Sequence, residues 1–170
     1  MYKEFYGFTE KPFSKTPDPR YLYLSRGHRE ALARLRYVLE EKEFAVLTGE
    51  IGCGKTTISR ALMDTMGESY RFCFVLNPRL SPLEFLRTVA RSLCSDQPAK
   101  SKEDLLQEMT DALYRLHCEG VSPVLVIDEA QMIPDREVYD EIRLLTNFQL
   151  DDRNLLSVVL MGQPELRTML

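Results

Sequence analysis

Eight consecutive residues constrain this chain more than any other part of it: Gly49-Glu50-Ile51-Gly52-Cys53-Gly54-Lys55-Thr56. They fit G-x-x-x-x-G-K-[ST], a loop that wraps a polyphosphate. Gly49, Gly52 and Gly54 let the backbone curl so that its N–H groups converge on the anion. Lys55 then reaches the β- and γ-phosphates, and the Thr56 hydroxyl is placed to ligate Mg²⁺. Such a loop functions between a buried strand and a helix whose N-terminus faces the phosphates. Both flanks are present. The run 44–48, FAVLT, is apolar and of strand length, and 57–63 opens a helix in which Ile58, Ala61, Leu62 and Met66 recur at helical spacing. A glycine-rich turn with an incidental lysine would not require that context.

A loop of this kind needs a partner carboxylate for the cation. Val124-Leu125-Val126-Ile127 is a continuous apolar run that delivers Asp128 and Glu129 to the carboxyl end of a sheet, the edge where open α/β folds bind ligands. Asp128 is the candidate Mg²⁺ contact, through water, and Glu129 the candidate general base for water attacking the γ-phosphate. Adjacent carboxylates after a strand also suit a helix N-terminus; the upstream loop favours the catalytic reading. Two amides stand at the ends of other apolar runs, Asn77 after 74–76 and Gln163 after 159–162. If those strands flank the Asp128 strand, both amides reach the nucleotide edge. Gln163 is then a candidate for contact with the γ-phosphate or the attacking water. Asn77 either hydrogen-bonds Glu129 or serves as a turn residue before Pro78.

The rest of the chain alternates strands with helices. Ser25 reads as the N-cap of a helix to about Glu41, with Ala31, Leu32, Leu35, Val38 and Leu39 on its apolar face. A strand is expected over 71–77, and a helix after Ser81 with Pro82 in its first position. Residues 95–99 read as a linker. Ser101 and Asp104 resemble a capping box opening another helix. Asp135 starts a helix through about Phe148, and 155–161 is a further buried strand. Alternation of this kind specifies an α/β fold with a mainly parallel sheet, here a three-layer αβα sandwich in one domain, 1–170. Within it, 1–43 forms an N-terminal segment and helix beside the nucleotide, and 44–170 the core. Phe5, Tyr6, Phe8, Pro12, Phe13, Pro17 and Pro19 suit an irregular segment packed over that core, followed by a short extended piece at 21–24.

Composition weighs against several classes without excluding a local basic patch. A net charge of −4 gives no global electrostatic case for nucleic acid or an anionic membrane. No apolar run approaches the length of a membrane span, and no signal-peptide core follows Met1. Cys53, Cys73, Cys94 and Cys118 are scattered without metal-type pairing, which suits free thiols in a reducing cytosol.

The pattern now resembles a known family. The loop, Asp128-Glu129-Ala130-Gln131 and Gly162-Gln163-Pro164-Glu165-Leu166 are similar to those of AAA+ ATPases. The N-terminal Phe5-Tyr6-Gly7-Phe8, Pro12-Phe13-Ser14, Pro17-Asp18-Pro19-Arg20 and the run from Tyr21 to Leu32 resemble the ExeA, or general secretion pathway protein A, branch. The resemblance implies an ATPase that self-associates into a ring or other oligomer and acts with a membrane partner in assembling an envelope secretion complex. It implies a cytoplasmic domain whose full-length form is anchored in the inner membrane and reaches peptidoglycan through regions absent here. It assigns Lys55, Thr56 and Thr57 to phosphate and Mg²⁺, makes Gln163 similar to a sensor 1 residue, and gives Asn77 the place of a switch residue for the catalytic glutamate. It sets 21–28 beside the adenine, with His28 as a base contact or, equally, a helix-capping residue. The family's fifth strand, helical lid and arginine finger have no counterpart before Leu170, and Arg153 and Arg167 are not substitutes for that finger. Weak hydrolysis is therefore expected, since such a finger is worth roughly 10³–10⁵ in rate. Two rival expectations stand beside this one: an ATP-gated DNA-binding regulator of the transposition type, and a small-molecule kinase built on the same loop.

Overall fold

The computed structural model describes residues 2–9, 23–94, 97–150 and 153–170. In chain order they form α1 (Tyr2–Tyr6), α2 (Arg26–Glu40), β1 (Phe44–Thr48), α3 (Lys55–Met66), β2 (Tyr70–Val75), α4 (Pro82–Leu93) and α5 (Lys102–Cys118). There follow β3 (Ser122–Ile127), a 3₁₀ turn (Ala130–Met132), α6 (Arg136–Thr146), the short antiparallel pair β4 (Gln149–Leu150) and β5 (Arg153–Asn154), β6 (Ser157–Gly162) and α7 (Leu166–Met169). The helices start where their caps demand. The Ser25 hydroxyl accepts from the His28 N–H at 3.2 Å, and the Asp135 carboxylate from the Glu137 N–H at 3.0 Å. Ser81 and Glu84 form a reciprocal capping box with Pro82 in the first turn. At Ser101 the hydroxyl accepts from the Asp104 N–H at 3.1 Å and donates to the Asp104 carboxylate at 2.6 Å.

Four strands make a parallel sheet in the order β1-β6-β3-β2. Side chains alternate across it and build two cores. Leu125 and Ile127 of β3, with Val158 and Leu160 of β6, pack among α4, α5 and α6. Val124, Val126, Val159 and Met161 face α2 and α3, meeting Leu35, Leu39, Ile58 and Leu62. This is the αβα sandwich that the alternating sequence specifies. Burying Val124 to Ile127 contributes about 1.5–3 kcal/mol per side chain, so β3 alone accounts for an amount comparable with a domain's net stability of about 5–15 kcal/mol. Among the described residues, no helix is long and apolar enough to cross a membrane.

Several boundaries differ from the sequence reading; β6, for one, runs over Ser157–Gly162 rather than 155–161. β2 stops at Val75 rather than Asn77, because the Asp128 N–H takes the Val75 carbonyl at 3.0 Å and the chain then turns. α3 starts at Lys55 rather than Thr57, which brings the lysine and both threonines into its first turn. α6 ends at Thr146, capped by Asn147. The aromatic start is also different: Phe5 and Tyr6 lie on α1, are 81% and 65% exposed, and meet edge to face instead of covering the core. Pro12, Phe13, Pro17, Pro19, Tyr21 and Leu22 lie outside the described residues, as do Ser95 and Asp96 of the expected linker.

Candidate functional site

The glycine loop leaves β1 beside β6, where the Gly49 N–H donates to the Gly162 carbonyl at 3.1 Å and extends the β1–β6 pairing. Gly52 and Gly54 adopt φ of +78° and +88°, the left-handed region that side chains disfavour. A Cβ at Gly49 would meet the Cys53 sulfur at 2.6 Å. The first intrahelical bond of α3 runs from the Ile58 N–H to the Gly54 carbonyl. The N–H groups of Lys55, Thr56 and Thr57 therefore precede the helix's own hydrogen-bond ladder and lie at its positive end, the arrangement that attracts anions. The Lys55 side chain is 7% exposed. Its ammonium donates to the carbonyls of Gly49 at 2.7 Å and Glu50 at 3.1 Å, which satisfies the charge within the loop.

Thr56 and Asp128 meet across the sheet edge. The Thr56 hydroxyl donates to Asp128 Oδ2 at 2.8 Å, joining residues 72 positions apart. Asp128, 7% exposed, also accepts the Glu129 N–H on Oδ1 at 2.9 Å. A cavity of about 280 Å³ adjoins this pair, lined by Ser59, Arg60, Met63, Phe74 and Leu76 as well. Among the described residues, no group of three or more His, Cys, Asp or Glu side chains is gathered as a metal cage. A hydroxyl and a carboxylate, both hard oxygen donors, instead fit a cation such as Mg²⁺, which keeps several waters and takes the rest of its shell from phosphate.

Glu129 has φ +52° and ψ +39°, an uncommon conformation for a residue with a side chain. It is fixed from both sides. The Glu129 carbonyl accepts the Met132 N–H at 2.8 Å, and the Tyr139 hydroxyl donates to the Ala130 carbonyl at 2.9 Å. The Glu129 carboxylate accepts from the Gln131 amide nitrogen at 2.6 Å, while Gln131 Oε1 accepts the Gln163 backbone N–H at 3.0 Å.

The other candidates fall out unevenly. β2 and β6 do flank β3, so Asn77 and Gln163 both lie at the expected edge. Gln163 follows Gly162 directly, beside the glycine loop. Asn77, however, is exposed and its Oδ1 accepts the Arg79 N–H at 3.3 Å. The turn reading applies, and the Glu129 carboxylate bonds to Gln131 in place of Asn77. His28 is engaged with the protein: Nδ1 lies 2.9 Å from the Tyr23 carbonyl and Nε2 2.9 Å from the Cys53 carbonyl. A ring donating from both nitrogens is an imidazolium. The carbonyls of Tyr23, then Cys53, accordingly push His28 above its ordinary value of 6.5, against a small opposing effect of burial. One polar edge holds the nucleotide loop at Cys53 and the other holds Tyr23, so only the ring face is left for a base. Gln131 and Gly162 were visible in the sequence but carried no assigned role there. A polar residue two positions beyond a candidate base was the available signal for Gln131.

A model of the AAA domain family matches residues 37–170. General secretion pathway protein A of Aeromonas hydrophila is 42% identical over 174 residues, covering 100% of this chain and 31% of that protein. This chain thus spans less than a third of the length of that relative. Among solved structures, Cdc6p of Pyrobaculum aerophilum superposes with a TM-score of 0.64 at 21% identity, over 88% of this chain and 42% of its own. The Aeropyrum pernix ORC2 protein gives 0.62 at 18%, over 90% and 45%. Drosophila ORC bound to DNA gives 0.64 at 16%, over 94% and 47%. At these identities the likeness to solved structures is one of fold.

Proposed function

This chain belongs to the AAA family of ATP-binding, ATP-hydrolysing domains, and from that premise we propose how its residues divide the work. The backbone N–H groups of the loop beyond Gly49 and of the first turn of α3, including Thr57, hold the phosphates. Lys55 exchanges the Gly49 and Glu50 carbonyls for β- and γ-phosphate oxygens. Thr56 and Asp128 would present the oxygens that hold Mg²⁺, which would supply neutralisation of phosphate charge. Glu129 takes the proton of the attacking water as that water bonds to the γ-phosphorus and ADP departs. Gln163, beside the loop, orients the γ-phosphate or that water. The observation that carries this reading is the Thr56–Asp128 hydrogen bond of 2.8 Å, which unites the two halves of the site. Lys55→Ala should abolish ATP binding in a fluorescent-nucleotide titration; undiminished affinity would sink the assignment. Glu129→Gln should bind ATP and not turn it over, and normal turnover would remove Glu129 as the base.

We further propose that hydrolysis drives assembly of a secretion complex in the cell envelope, with the ATPase working as an oligomer alongside a membrane partner. Support comes from the 42% identity, over the whole of this chain, to a general secretion pathway protein. A strain carrying Lys55→Ala in the full-length protein should accumulate unexported substrate; normal export by that strain would refute the placement. The net charge of −4 weighs against a nucleic-acid partner.

A further inference from the structure

We propose that Gln131 is the positioning residue of this site: its side chain ties the Glu129 carboxylate to the end of β6, so that the strand leading into Gln163 also sets the direction of the base. The inference rests on the reading of Glu129 as general base and deepens it.

Three independent observations support the tie. Gln131 uses both ends of one amide. Nε2 donates to Glu129 Oε2 at 2.6 Å, and Oε1 accepts the Gln163 N–H at 3.0 Å. The short first bond is what a donor facing a carboxylate gives. Second, Glu129 is held at φ +52°, and a residue there persists only where its surroundings fix it. The bonds from the Glu129 N–H to Asp128 and from the Met132 N–H to the Glu129 carbonyl fix the backbone; Gln131 fixes the side chain. Third, Gly162 makes room. A Cβ at Gly162 would stand 2.6 Å from Gln131 Oε1, so the absence of a side chain at that position lets the amide reach the strand end. Gly162 also accepts the Gly49 N–H. One strand terminus thereby touches the nucleotide loop through its backbone, the candidate base through Gln131, and carries Gln163 next in sequence.

Gln131 touches no reacting atom in this arrangement. Its contribution is orientation, and misplacing a catalytic group by about 1 Å can cost on the order of 100-fold in rate. The expected signature is a loss in kcat with nucleotide affinity preserved, because Gln131 lies outside the loop that grips the phosphates. Two variants separate the ends of the amide. Gln131→Met keeps the length and removes both bonds. Gln131→Glu keeps an acceptor for the Gln163 N–H and turns a carboxylate towards Glu129, so the tie becomes a repulsion.

The experiment is single-turnover ATP hydrolysis by the full chain with enzyme in excess, alongside a fluorescent ATP analogue titration for each variant. Both variants should bind the analogue within about twofold of the parent and lose roughly 10- to 100-fold in the hydrolysis rate. Should Gln131→Met fail to bind the analogue, Gln131→Glu decides. A hydrolysis rate equal to the parent's in a variant that binds normally would overturn the proposal. So would a faster rate, since a tie that restrains the base is not one that aims it. Glu129→Gln, run in parallel, keeps the two claims apart: loss of turnover there with normal rates in the Gln131 variants removes the tie and leaves the base, whereas normal turnover in Glu129→Gln removes the base itself.

Discussion

Replacing Thr56 by Val tests the contact on which the site depends. Valine keeps the branched shape and deletes only the hydroxyl that donates to Asp128 Oδ2 at 2.8 Å. A hydrogen bond to a charged group contributes about 1.5–3 kcal/mol. Asp128 is 7% exposed, so little water is at hand to replace the donor, and a loss of about 2 kcal/mol follows. For a chain of this size, 1 kcal/mol moves the melting temperature by roughly 2–4 °C, which places the variant about 4–8 °C below the parent. Thr56→Ser restores the hydroxyl and should recover most of that. The assay is equilibrium urea denaturation without nucleotide, comparing midpoints at equal m-values. A double-mutant cycle with Asp128→Ala should return a coupling of the same size. Thr56→Val unfolding at the parent's midpoint, or Val and Ser variants equally destabilised, would refute the reasoning, because the loss would then be unrelated to the hydroxyl.

Three further outcomes follow from the same geometry. His28 has a folded pKa raised by the Tyr23 and Cys53 carbonyls, so its contribution to stability is fully present below about pH 6.5 and is lost as pH rises through the folded value. The melting-temperature gap between parent and His28→Gln should therefore be widest at pH 5.5 and narrow towards pH 8.5, and a gap that widens instead would contradict the clasp. Cys53 and Cys118 are exposed, whereas Cys73 is buried and the Cys94 thiol is pushed up to about 11, by burial first and by Glu108 second. Iodoacetamide at pH 8 should modify Cys53 and Cys118 first and Cys94 late, with ATP protecting Cys53 alone; peptide mass spectrometry reads the order. Gly54→Ala places a side chain at φ +88°, 3.6 Å from His28 Nε2, and should cost about 1 kcal/mol or more in stability as well as nucleotide affinity.

Legibility in the sequence followed the range of the physics. The glycine loop and the caps at Ser25, Ser81, Ser101 and Asp135 depend on a few neighbouring residues, and each was readable from them. The continuous apolar runs 124–127 and 158–161 announced strands covered on both faces, and they are. The end of β2 was not readable, because it is set by a bond from Asp128 to Val75, far apart in the chain. Asn77 illustrates the same limit: its position at the sheet edge was inferable, but its partner is the next turn's Arg79 rather than Glu129. His28 is held by two backbone carbonyls and Gln131 accepts a backbone N–H, contacts that a side-chain pattern does not reveal. Composition alone makes Phe5 and Tyr6 core-covering residues, and their exposure on α1 shows that aromatic content does not specify a partner surface.

The sheet order has a consequence for how the protein is made. β6 is the latest of the four sheet strands to be synthesised, yet it lies between β1, which leads into the glycine loop, and β3, which leads into Asp128. Ribosomes add roughly 5–20 residues per second, so both halves of the nucleotide site emerge seconds before the strand that spaces them. In that interval β1 and β3 are unpaired along the edges that β6 will fill, and each presents an apolar template on which another chain could pair. Nascent chains halted before β6 should accordingly recruit chaperones and bind no ATP, and completion of that one strand converts them.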